Sequence, residues 1–254
     1  MTPPLAPALP TSTHRFLRRV GRTSLDAVRA VRDVDTWSPH LLDQMRRLGV
    51  ESLPVALFLA IFTGIVLALL SRYIFTGSVP IYLVGTLVTK TILMELGPVL
   101  TGMALAGRVG AAVAAELGTM TVTEQVDALE TLAYDRYAYL VVPRVLAACL
   151  MFPVVTALAM GVGILSGWLT STTLLGIAAQ DFERGARDFY RSKDIWFGLV
   201  KSASFGTVVA LAGCLSGLGA QGGAQGVGRA ATRAVVIGCM AILVLDAVWA
   251  VLLL

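Results

Sequence analysis

The residues that could do chemistry in this sequence are few, and the most unusual is a carboxylate inside an apolar stretch. Glu95 lies between Val79 and Leu105, a run apolar enough to cross a membrane, and it shares that run with Lys90. A charge near the centre of a membrane span costs about 2.5–3.5 kcal/mol, so two charges could cancel the insertion energy of this run. The Lys90 side chain can extend to the interface, whereas the shorter Glu95 cannot. We therefore expect Glu95 to lie among other helices or to face a wet cavity.

Pro98 predicts a local irregularity next to Glu95. A proline has no N–H to donate to the carbonyl of Met94, and this permits a kink in the helix. Two interpretations of Glu95 follow. In the first, Glu95 lines a pathway through the membrane or responds to the state of that pathway. In the second, Glu95 makes a structural hydrogen bond to a neighbouring helix, with its carboxyl group either ionised or protonated. The sequence leaves both open.

A second group of polar residues, from Thr121 to Leu132, points to a contact outside the membrane. Thr121 and Glu124 have the spacing of a capping box, which predicts a helix that begins just after Thr121. This helix is too short and too polar to cross a bilayer. Its predicted apolar face consists of Val122, Val126, Leu129 and Ala133, and its polar face of Glu124, Gln125, Asp127 and Glu130. The acidic face either binds a partner or is solvated on a connecting helix.

The composition is that of an all-α integral membrane protein. Of 254 residues, 56% are hydrophobic and 14% are charged, whereas a soluble domain has about 25% charged residues. We predict five transmembrane helices, at about 53–70, 79–105, 139–169, 195–218 and 234–254. A charged stretch, 180–194, predicts a short helix outside the bilayer. Gly107 and Gly110, with the alanines that follow, suit a tight turn.

The first fifty residues differ from the rest of the chain. Residues 1–13 contain four prolines and predict a disordered tail. Residues 14–50 predict an interfacial helical region, because a basic amphipathic helix lies in the headgroup layer rather than crossing it. The same stretch could be a plastid transit peptide, but its four Asp residues argue against that.

The distribution of Arg and Lys predicts the orientation in the membrane. With the N-terminus inside, the internal segments hold the eight N-terminal arginines and a further five: Arg108, Arg136, Arg144, Arg229 and Arg233. Seven residues fall outside: Arg72, Lys90, Arg184, Arg187, Arg191, Lys193 and Lys201. The bias favours a cytoplasmic N-terminus and an external C-terminus. It places the predicted helix at 121–132 in the cytoplasm.

Small residues recur at the spacing of packed membrane helices. The pairs are Gly163 with Gly167, Ser202 with Gly206, and Gly213 with Gly217. Such surfaces let helices approach closely. They predict a packed bundle, and they fit a homodimer interface without requiring one.

Several kinds of site are excluded or disfavoured by the sequence. It contains no Gly-x4-Gly-Lys-Ser/Thr sequence, so it has no P-loop. Its two histidines, His14 and His40, precede the first span, which disfavours a Ser–His triad or a histidine metal site in the membrane. The three cysteines lie in apolar runs without metal-ligand spacing. Nucleic acid binding is not expected, because basic and aromatic residues do not interleave on an exposed surface.

Two segments resemble a known family. ELGPVLTGMALAGRVGAAVAAELGTMTVTEQVDALE, from Glu95 to Glu130, is similar to the signature of MlaE-type (YrbE) permeases, and GVGRAATRAVV near the C-terminus also matches them. These permeases are membrane subunits of ABC transporters that move lipids together with MCE proteins. The resemblance extends from about Gly49 to the C-terminus.

The resemblance implies that this chain and its partner subunits have separate functions. The 121–132 helix would be the coupling helix, with Thr121, Glu124, Gln125, Asp127 and Glu130 docking on a cytoplasmic ATPase that binds the ATP. The chain itself would need no cofactor. Two copies would form a dimer in a bacterial inner membrane, with an MCE-domain protein on the periplasmic side.

The lipid, a phospholipid or a related molecule, would pass through a cavity between the two copies. The residues expected at this cavity are Met94, Glu95, Leu96 and Pro98. Many relatives have Arg-Glu where this chain has Met94-Glu95, so no cation precedes Glu95 here. The alternatives are a membrane scaffold of a lipid-trafficking complex and a membrane enzyme. A scaffold would not need Glu95 in a costly position, and an enzyme would need a reactive constellation that the sequence lacks.

Overall fold

The computed structural model describes Ala30 and residues 33–75, 80–188 and 190–253. The disordered tail predicted at 1–13, and the predicted interfacial helix from residue 14 up to Ala30, lie outside the described residues. Helix α1 (Val34–Leu48) is followed by a 3₁₀ turn (Val50–Ser52) and by α2 (Leu53–Ile74). Next comes a continuous helical stretch of 40 residues, Leu83–Val122.

This stretch is divided by two π turns. Its parts are α3 (Leu83–Thr91), the first π turn (Ile92–Leu96), α4 (Gly97–Leu105), the second π turn (Ala106–Gly110) and α5 (Ala111–Val122). Gly107 and Gly110 therefore lie inside a helix, and the predicted tight turn is wrong. A π turn inserts one extra residue into a helix without ending it.

The rest of the chain continues in the same helical manner. Its elements are α6 (Gln125–Thr131), a third π turn (Tyr137–Val141), α7 (Val142–Thr173), α8 (Ala179–Asp188), α9 (Ser192–Gly217) and α10 (Gly223–Leu253). Five helices in the described part of the chain are long and apolar enough to cross a membrane, which is the predicted number. The structure places the second of them at Leu83–Val122 instead of the predicted 79–105, because the small and apolar residues after Leu105 continue the helix.

Small residues set the spacing of the bundle. A Cβ on Gly64 of α2 would overlap the carbonyl of Gly163 on α7. A Cβ on Gly206 of α9 would lie 2.5 Å from the carbonyl oxygen of Ala148 on α7. Gly217 of α9 packs equally closely on α5, where a Cβ would lie 2.8 Å from Cβ of Leu117. The predicted small-residue surfaces are thus used for packing within the chain.

The two ends of the bundle carry different short helices. At one end α8 lies across the start of α3, where its buried Phe182 packs and Thr86 donates a hydrogen bond of 2.7 Å to the Gly185 carbonyl. At the other end α1 packs on the start of α7, with the His40 and Tyr139 rings 4.7 Å apart. Helix α6 lies at this second end, since it connects α5 to α7. The acidic helix and α8 are therefore at opposite ends of the bundle.

Candidate functional site

The first π turn brings Glu95 and Met94 to a neighbouring helix. Pro98 lies in the first turn of α4 and cannot donate to the Met94 carbonyl. That carbonyl instead accepts a hydrogen bond of 3.4 Å from Nζ of Lys201 on α9. The predicted irregularity beside Glu95 is present, and its geometry is a π turn. The carbonyl freed by the proline becomes a ligand for a buried ammonium group.

Lys201 is the centre of an ion cluster that joins three membrane helices. Its Nζ lies 2.7 Å from Oε2 of Glu95 and 2.5 Å from Oδ1 of Asp246 on α10. The Lys201 side chain is fully buried, whereas 44% of the Glu95 side chain and 24% of the Asp246 side chain are exposed. The contact with Glu95 is a hydrogen-bonded ion pair, and the contact with Asp246 is electrostatic without hydrogen-bond alignment.

Aromatic and hydroxyl groups surround this cluster. The ammonium of Lys201 lies 5.5 Å from the centre of the Phe197 ring, and that ring packs edge-on against Trp249 at 5.7 Å. The Trp249 indole N–H donates to Oγ of Ser204 at 3.0 Å. These contacts connect α9 and α10 beside the charges. Two carboxylates face one ammonium, so the cluster has a formal charge of −1 in its ionised form, and Glu95 presents part of that charge on the surface of the chain.

The structure places the other predicted cavity residues close to Glu95 but in different surroundings. Pro98 is buried, and Met94 is half-buried. Leu96 lines a small apolar cavity of about 10 Å³ between α2, the first π turn, α4 and α7. That volume is about the size of one water molecule and far below that of an acyl chain. Of the four predicted residues, Glu95 is the one that brings a charged group to the surface of the chain.

Lys201 and Asp246 were missed by the sequence analysis. Lys201 was assigned to the outside of the membrane, which is wrong, because it is buried inside α9. Asp246 was not singled out. A usable signal did exist, since an ionisable residue inside an apolar helix requires a counter-charge, and Lys201 and Asp246 are the charges in the interiors of the last two apolar runs. Glu95 therefore has a cationic partner, Lys201, that comes from another helix and not from the preceding residue.

Helix α6 has the predicted apolar and polar faces, but it begins at a different residue from the one predicted. It spans seven residues, and its N-cap is Glu124 in the left-handed region at φ 61°. Thr121 lies inside α5 and its hydroxyl donates to the Leu117 carbonyl at 2.8 Å. The predicted capping box is therefore absent, because Thr121 bonds back into the preceding helix, as threonine often does.

The polar face of α6 is exposed and its apolar face is packed. Val126 is buried in the main core and Leu129 is half-buried against it. Ala133, predicted to share this face, is exposed and lies beyond the helix. The residues of the exposed face are Glu124, Gln125, Asp127 and Glu130. Beside them lie two exposed large apolar side chains, Leu132 at 68% and Tyr134 at 50% exposure.

Ion pairs hold the elements on both sides of α6. Arg144 of α7 is buried, and its Nη2 lies 2.8 Å from Oε1 of Glu116 on α5. Its Nη1 donates to the carbonyl of Leu140 in the third π turn at 2.6 Å. Arg136, just before that turn, pairs with Glu130 of α6 at 2.9 Å. The acidic helix is thus attached to a braced pair of helices.

A further ion pair connects the second π turn to the start of α2. Arg108 pairs with Glu51 at 3.2 Å and also donates to Oγ of Ser52 and to the Arg47 carbonyl. The junction between α1 and α2 is therefore tied to the same long helical stretch that ends at α6.

Comparison with known proteins agrees with this architecture. The family model described as Permease MlaE matches residues 41–252. The chain belongs to the MlaE permease family. A probable ABC transporter permease protein of Synechocystis is 42% identical over 207 residues, which cover 81% of this chain and 78% of the relative. A probable ABC transporter permease protein of Rickettsia bellii is 36% identical over 94% of both chains. The intermembrane phospholipid transport system permease protein MlaE of Haemophilus influenzae is 32% identical, over 91% of this chain and 89% of its own length.

Proposed function

We propose that this chain is the transmembrane permease subunit of an ABC transporter that moves phospholipids between membranes. Membership of the MlaE permease family is the observation that carries the proposal. The name of the Haemophilus influenzae relative, an intermembrane phospholipid transport system permease, supplies the cargo. The work of ATP hydrolysis falls to a separate ATPase subunit, because the chain has no P-loop.

Helix α6 is the surface through which the ATPase acts. Its acidic face, with the adjoining Leu132 and Tyr134, combines exposed charge with exposed apolar area, and that combination is typical of a protein contact. Val126 and Leu129 anchor the other face to the bundle. The brace between Arg144 and Glu116 makes α5 and α7 move together when α6 is pushed.

The ion cluster is the part of the membrane region that responds to this motion. Glu95 and α5 belong to one continuous helical stretch, Leu83–Val122, which contains the first and second π turns, and α6 follows α5 after a short turn. π turns are local register shifts that occur frequently at functional sites. We propose that motion of α5 changes the position of Glu95 relative to Lys201, and that the exposed part of Glu95 faces the lipid pathway.

The complex is a homodimer in a bacterial inner membrane, with two ATPase subunits on one side. The N-terminus and α6 are cytoplasmic, and the C-terminus and α8 are periplasmic, where an MCE-domain protein binds. This orientation rests on the Arg and Lys distribution and on α6 and α8 lying at opposite ends of the bundle.

Co-purification tests the docking of the ATPase. Tagged chain is co-expressed with its ATPase and the MCE-domain protein, and the retained subunits are quantified. We expect the double variant Glu124→Lys and Asp127→Lys to lose the ATPase and its lipid-dependent stimulation, because both carboxylates are exposed and lack ion partners among the described residues. The control Glu183→Lys and Asp188→Lys changes the same number of charges on α8 at the opposite end.

The docking proposal fails if the α6 variant retains the ATPase and its stimulation while the bundle stays folded. If the wild-type chain retains neither the ATPase nor an MCE-domain protein, the whole proposed function fails, and a scaffold becomes the better description.

A further inference from the structure

Helix α8 is fastened to α3 by close backbone contacts. A Cβ on Gly85 of α3 would overlap the carbonyl of Phe182 on α8. A Cβ on Gly185 of α8 would overlap the carbonyl of Tyr82, directly before α3. Between these two contacts, Thr86 donates its hydrogen bond of 2.7 Å to the Gly185 carbonyl. The glycines therefore let the two backbones touch without side chains between them, and packing this close leaves the helices little freedom to move apart.

Side chains complete the contact between α8 and α3. Phe182 is buried in the same hydrophobic cluster as Val88 of α3. The guanidinium group of Arg184 lies 5.3 Å from the centre of the Tyr82 ring. Helix α8 packs more extensively on α3 than on α7, although only the short loop 174–178 joins it to α7. Helices α3 and α8 therefore form one packed body, which we call the α3–α8 unit.

The α3–α8 unit continues directly into the first π turn. Helix α3 ends at Thr91 and the π turn begins at the next residue, Ile92. Glu95 is nine residues beyond Thr86 in the sequence, which corresponds to about 13 Å along a helix. The contact with α8 and the ion pair with Lys201 thus lie at the two ends of one unbroken helical segment.

The ion cluster at the far end of this segment can adopt two arrangements. Nζ of Lys201 donates to Oε2 of Glu95 at 2.7 Å, whereas Oδ1 of Asp246, at 2.5 Å, accepts no hydrogen bond among the described residues. Hydrogen bonds are directional, so a small movement decides which carboxylate is aligned with the ammonium group. When the Glu95 contact lengthens, the ammonium group can turn a hydrogen bond to Asp246 while Glu95 stays near as a counter-charge. The position of the first π turn selects between the two arrangements.

We propose that the α3–α8 unit transmits a displacement of α8, caused by a partner bound at that end of the bundle, to the contact between Glu95 and Lys201. Helix α8 is then a regulatory contact, at the end of the bundle opposite to α6. Both ends act on the same helical stretch, Leu83–Val122, so a partner on α8 regulates ATP hydrolysis at the α6 end. That this partner is the MCE-domain protein rests on the proposed function, whereas the coupling of α8 to Glu95 does not.

A double-mutant cycle in the purified full-length chain tests the coupling without any partner. Thr86→Val keeps the shape of the side chain and removes its hydrogen bond to α8, and Glu95→Gln removes the charge of the ion pair. We expect Thr86→Val to raise the equilibrium constant of unfolding in mixed micelles about tenfold, but about twofold when Glu95→Gln is present. The second effect is smaller because a displaced π turn then has no ion pair to weaken. Residues more than about 10 Å apart normally have independent effects.

The control variant for the cycle is Thr170→Val, on α7 at the same end of the bundle. The Thr170 hydroxyl donates to the Ser166 carbonyl of its own helix, at 2.8 Å. Its removal is the same chemical change as Thr86→Val without the contact between α8 and α3. We expect the effect of Thr170→Val on the unfolding constant to be equal with and without Glu95→Gln.

Amide hydrogen exchange shows how far the effect of Thr86→Val extends. We expect faster exchange in α8 and also in the first π turn (Ile92–Leu96). Glu183→Gln, on the exposed face of α8, should change exchange in neither segment. Faster exchange confined to α8, or additive effects in the double-mutant cycle, would show that α8 merely covers the start of α3, and either result overturns the proposal.

Stimulation of the ATPase tests the regulatory role of α8. In a reconstituted complex with the ATPase and the MCE-domain protein, Thr86→Val should retain both subunits. It should lose at least about half of the stimulation of ATP hydrolysis that the MCE-domain protein produces in the wild-type complex. Full stimulation in this variant overturns the regulatory role. If the wild-type chain retains neither subunit, the proposed function fails, and the double-mutant cycle still decides whether α8 is coupled to Glu95.

Discussion

Two regions of this molecule pair acids with bases in opposite settings. In the interior, Lys201 is fully buried between Glu95 and Asp246, and the three residues come from three different membrane helices. On α8, Arg184 pairs with Asp188 at 3.4 Å and Arg187 with Glu183 at 3.6 Å, all exposed and within one short helix. The first arrangement fixes how helices are placed relative to one another. The ion pairs of the second arrangement add little stability, and they stabilise only the helix that contains them.

The difference shows why a charge inside the membrane has consequences that a surface charge lacks. Water can solvate the α8 carboxylates if their partners are removed. Water cannot replace the ion partners of Lys201 in this way, because the membrane-spanning helices enclose its ammonium group. Lys201 requires Glu95 as a counter-charge, and the same ion pair fixes the position of the Glu95 side chain. A movement of the first π turn therefore changes the distances within the whole ion cluster.

The largest effect is expected at Lys201. Glu95→Gln combined with Asp246→Asn leaves the fully buried ammonium group of Lys201 without a counter-charge, and the free energy of unfolding should fall by about 3–5 kcal/mol. Equilibrium unfolding in mixed micelles measures it. Combining Lys201→Met with Glu95→Gln and Asp246→Asn should restore most of the loss, since no charge then lacks a partner. A triple variant as unstable as the double one would show that side-chain packing, not charge pairing, was lost.

The ion pair of Arg144 and Glu116 is intermediate in exposure between the buried Lys201 cluster and the exposed pairs of α8. Glu116→Leu strands a guanidinium that is 5% exposed, whereas Arg144→Met strands a carboxylate that is 41% exposed and can be hydrated. We expect Glu116→Leu to cost about 2–4 kcal/mol and Arg144→Met less. Both are measured by the same unfolding assay. Equal costs, or the reverse order, would contradict the idea that burial of the orphaned charge decides the penalty.

Close packing of a glycine on a neighbouring helix involves no charge, and disrupting it should change the free energy of unfolding by a comparable amount. Gly206→Ala places a Cβ 2.5 Å from the Ala148 carbonyl oxygen, and should cost about 1–3 kcal/mol. Gly161→Ala is the matched control, on a helix in the same bundle, where a Cβ meets nothing within 4 Å. The control should be neutral or slightly stabilising. Thermal denaturation of both variants in detergent shows whether close approach of α9 to α7 is required.

The smallest effect is expected on α8. Glu183→Gln removes one exposed ion pair and should change the free energy of unfolding by less than about 0.5 kcal/mol. The same unfolding assay detects larger changes. A loss approaching that of the double variant Glu95→Gln and Asp246→Asn would mean that α8 is bound more firmly to the bundle than its exposed charges indicate.

The sequence predicted the number of spans because long apolar runs leave few other solutions in a membrane. It predicted the separation of α6 into packed and exposed faces for a similar reason, since Val126 and Leu129 recur at helical spacing. Pro98 indicated an irregularity beside Glu95. In each case the signal is contained within a few turns of one helix.

Contacts between distant parts of the chain were not predictable in the same way. Lys201 and Asp246 meet across two helices, and no local pattern states which charge pairs with which. Thr121 could bond forward as a cap or back to Leu117, and the backbone of α5 decided between them. Gly107 and Gly110 were equally compatible with a turn and with a π turn, because glycine permits both. The protein that binds α6 and the lipid pathway at Glu95 are proposals.

The most direct test of the account is the side of the membrane on which α6 lies. In a chain whose Cys149, Cys214 and Cys239 are replaced by alanine, Thr131→Cys on α6 and Arg187→Cys on α8 are labelled with a membrane-impermeant maleimide in intact cells. We predict that Arg187→Cys is labelled from outside and that Thr131→Cys is labelled only after the membrane is permeabilised. Labelling of Thr131→Cys from outside would place α6 out of reach of any ATP-hydrolysing subunit, and would contradict the account.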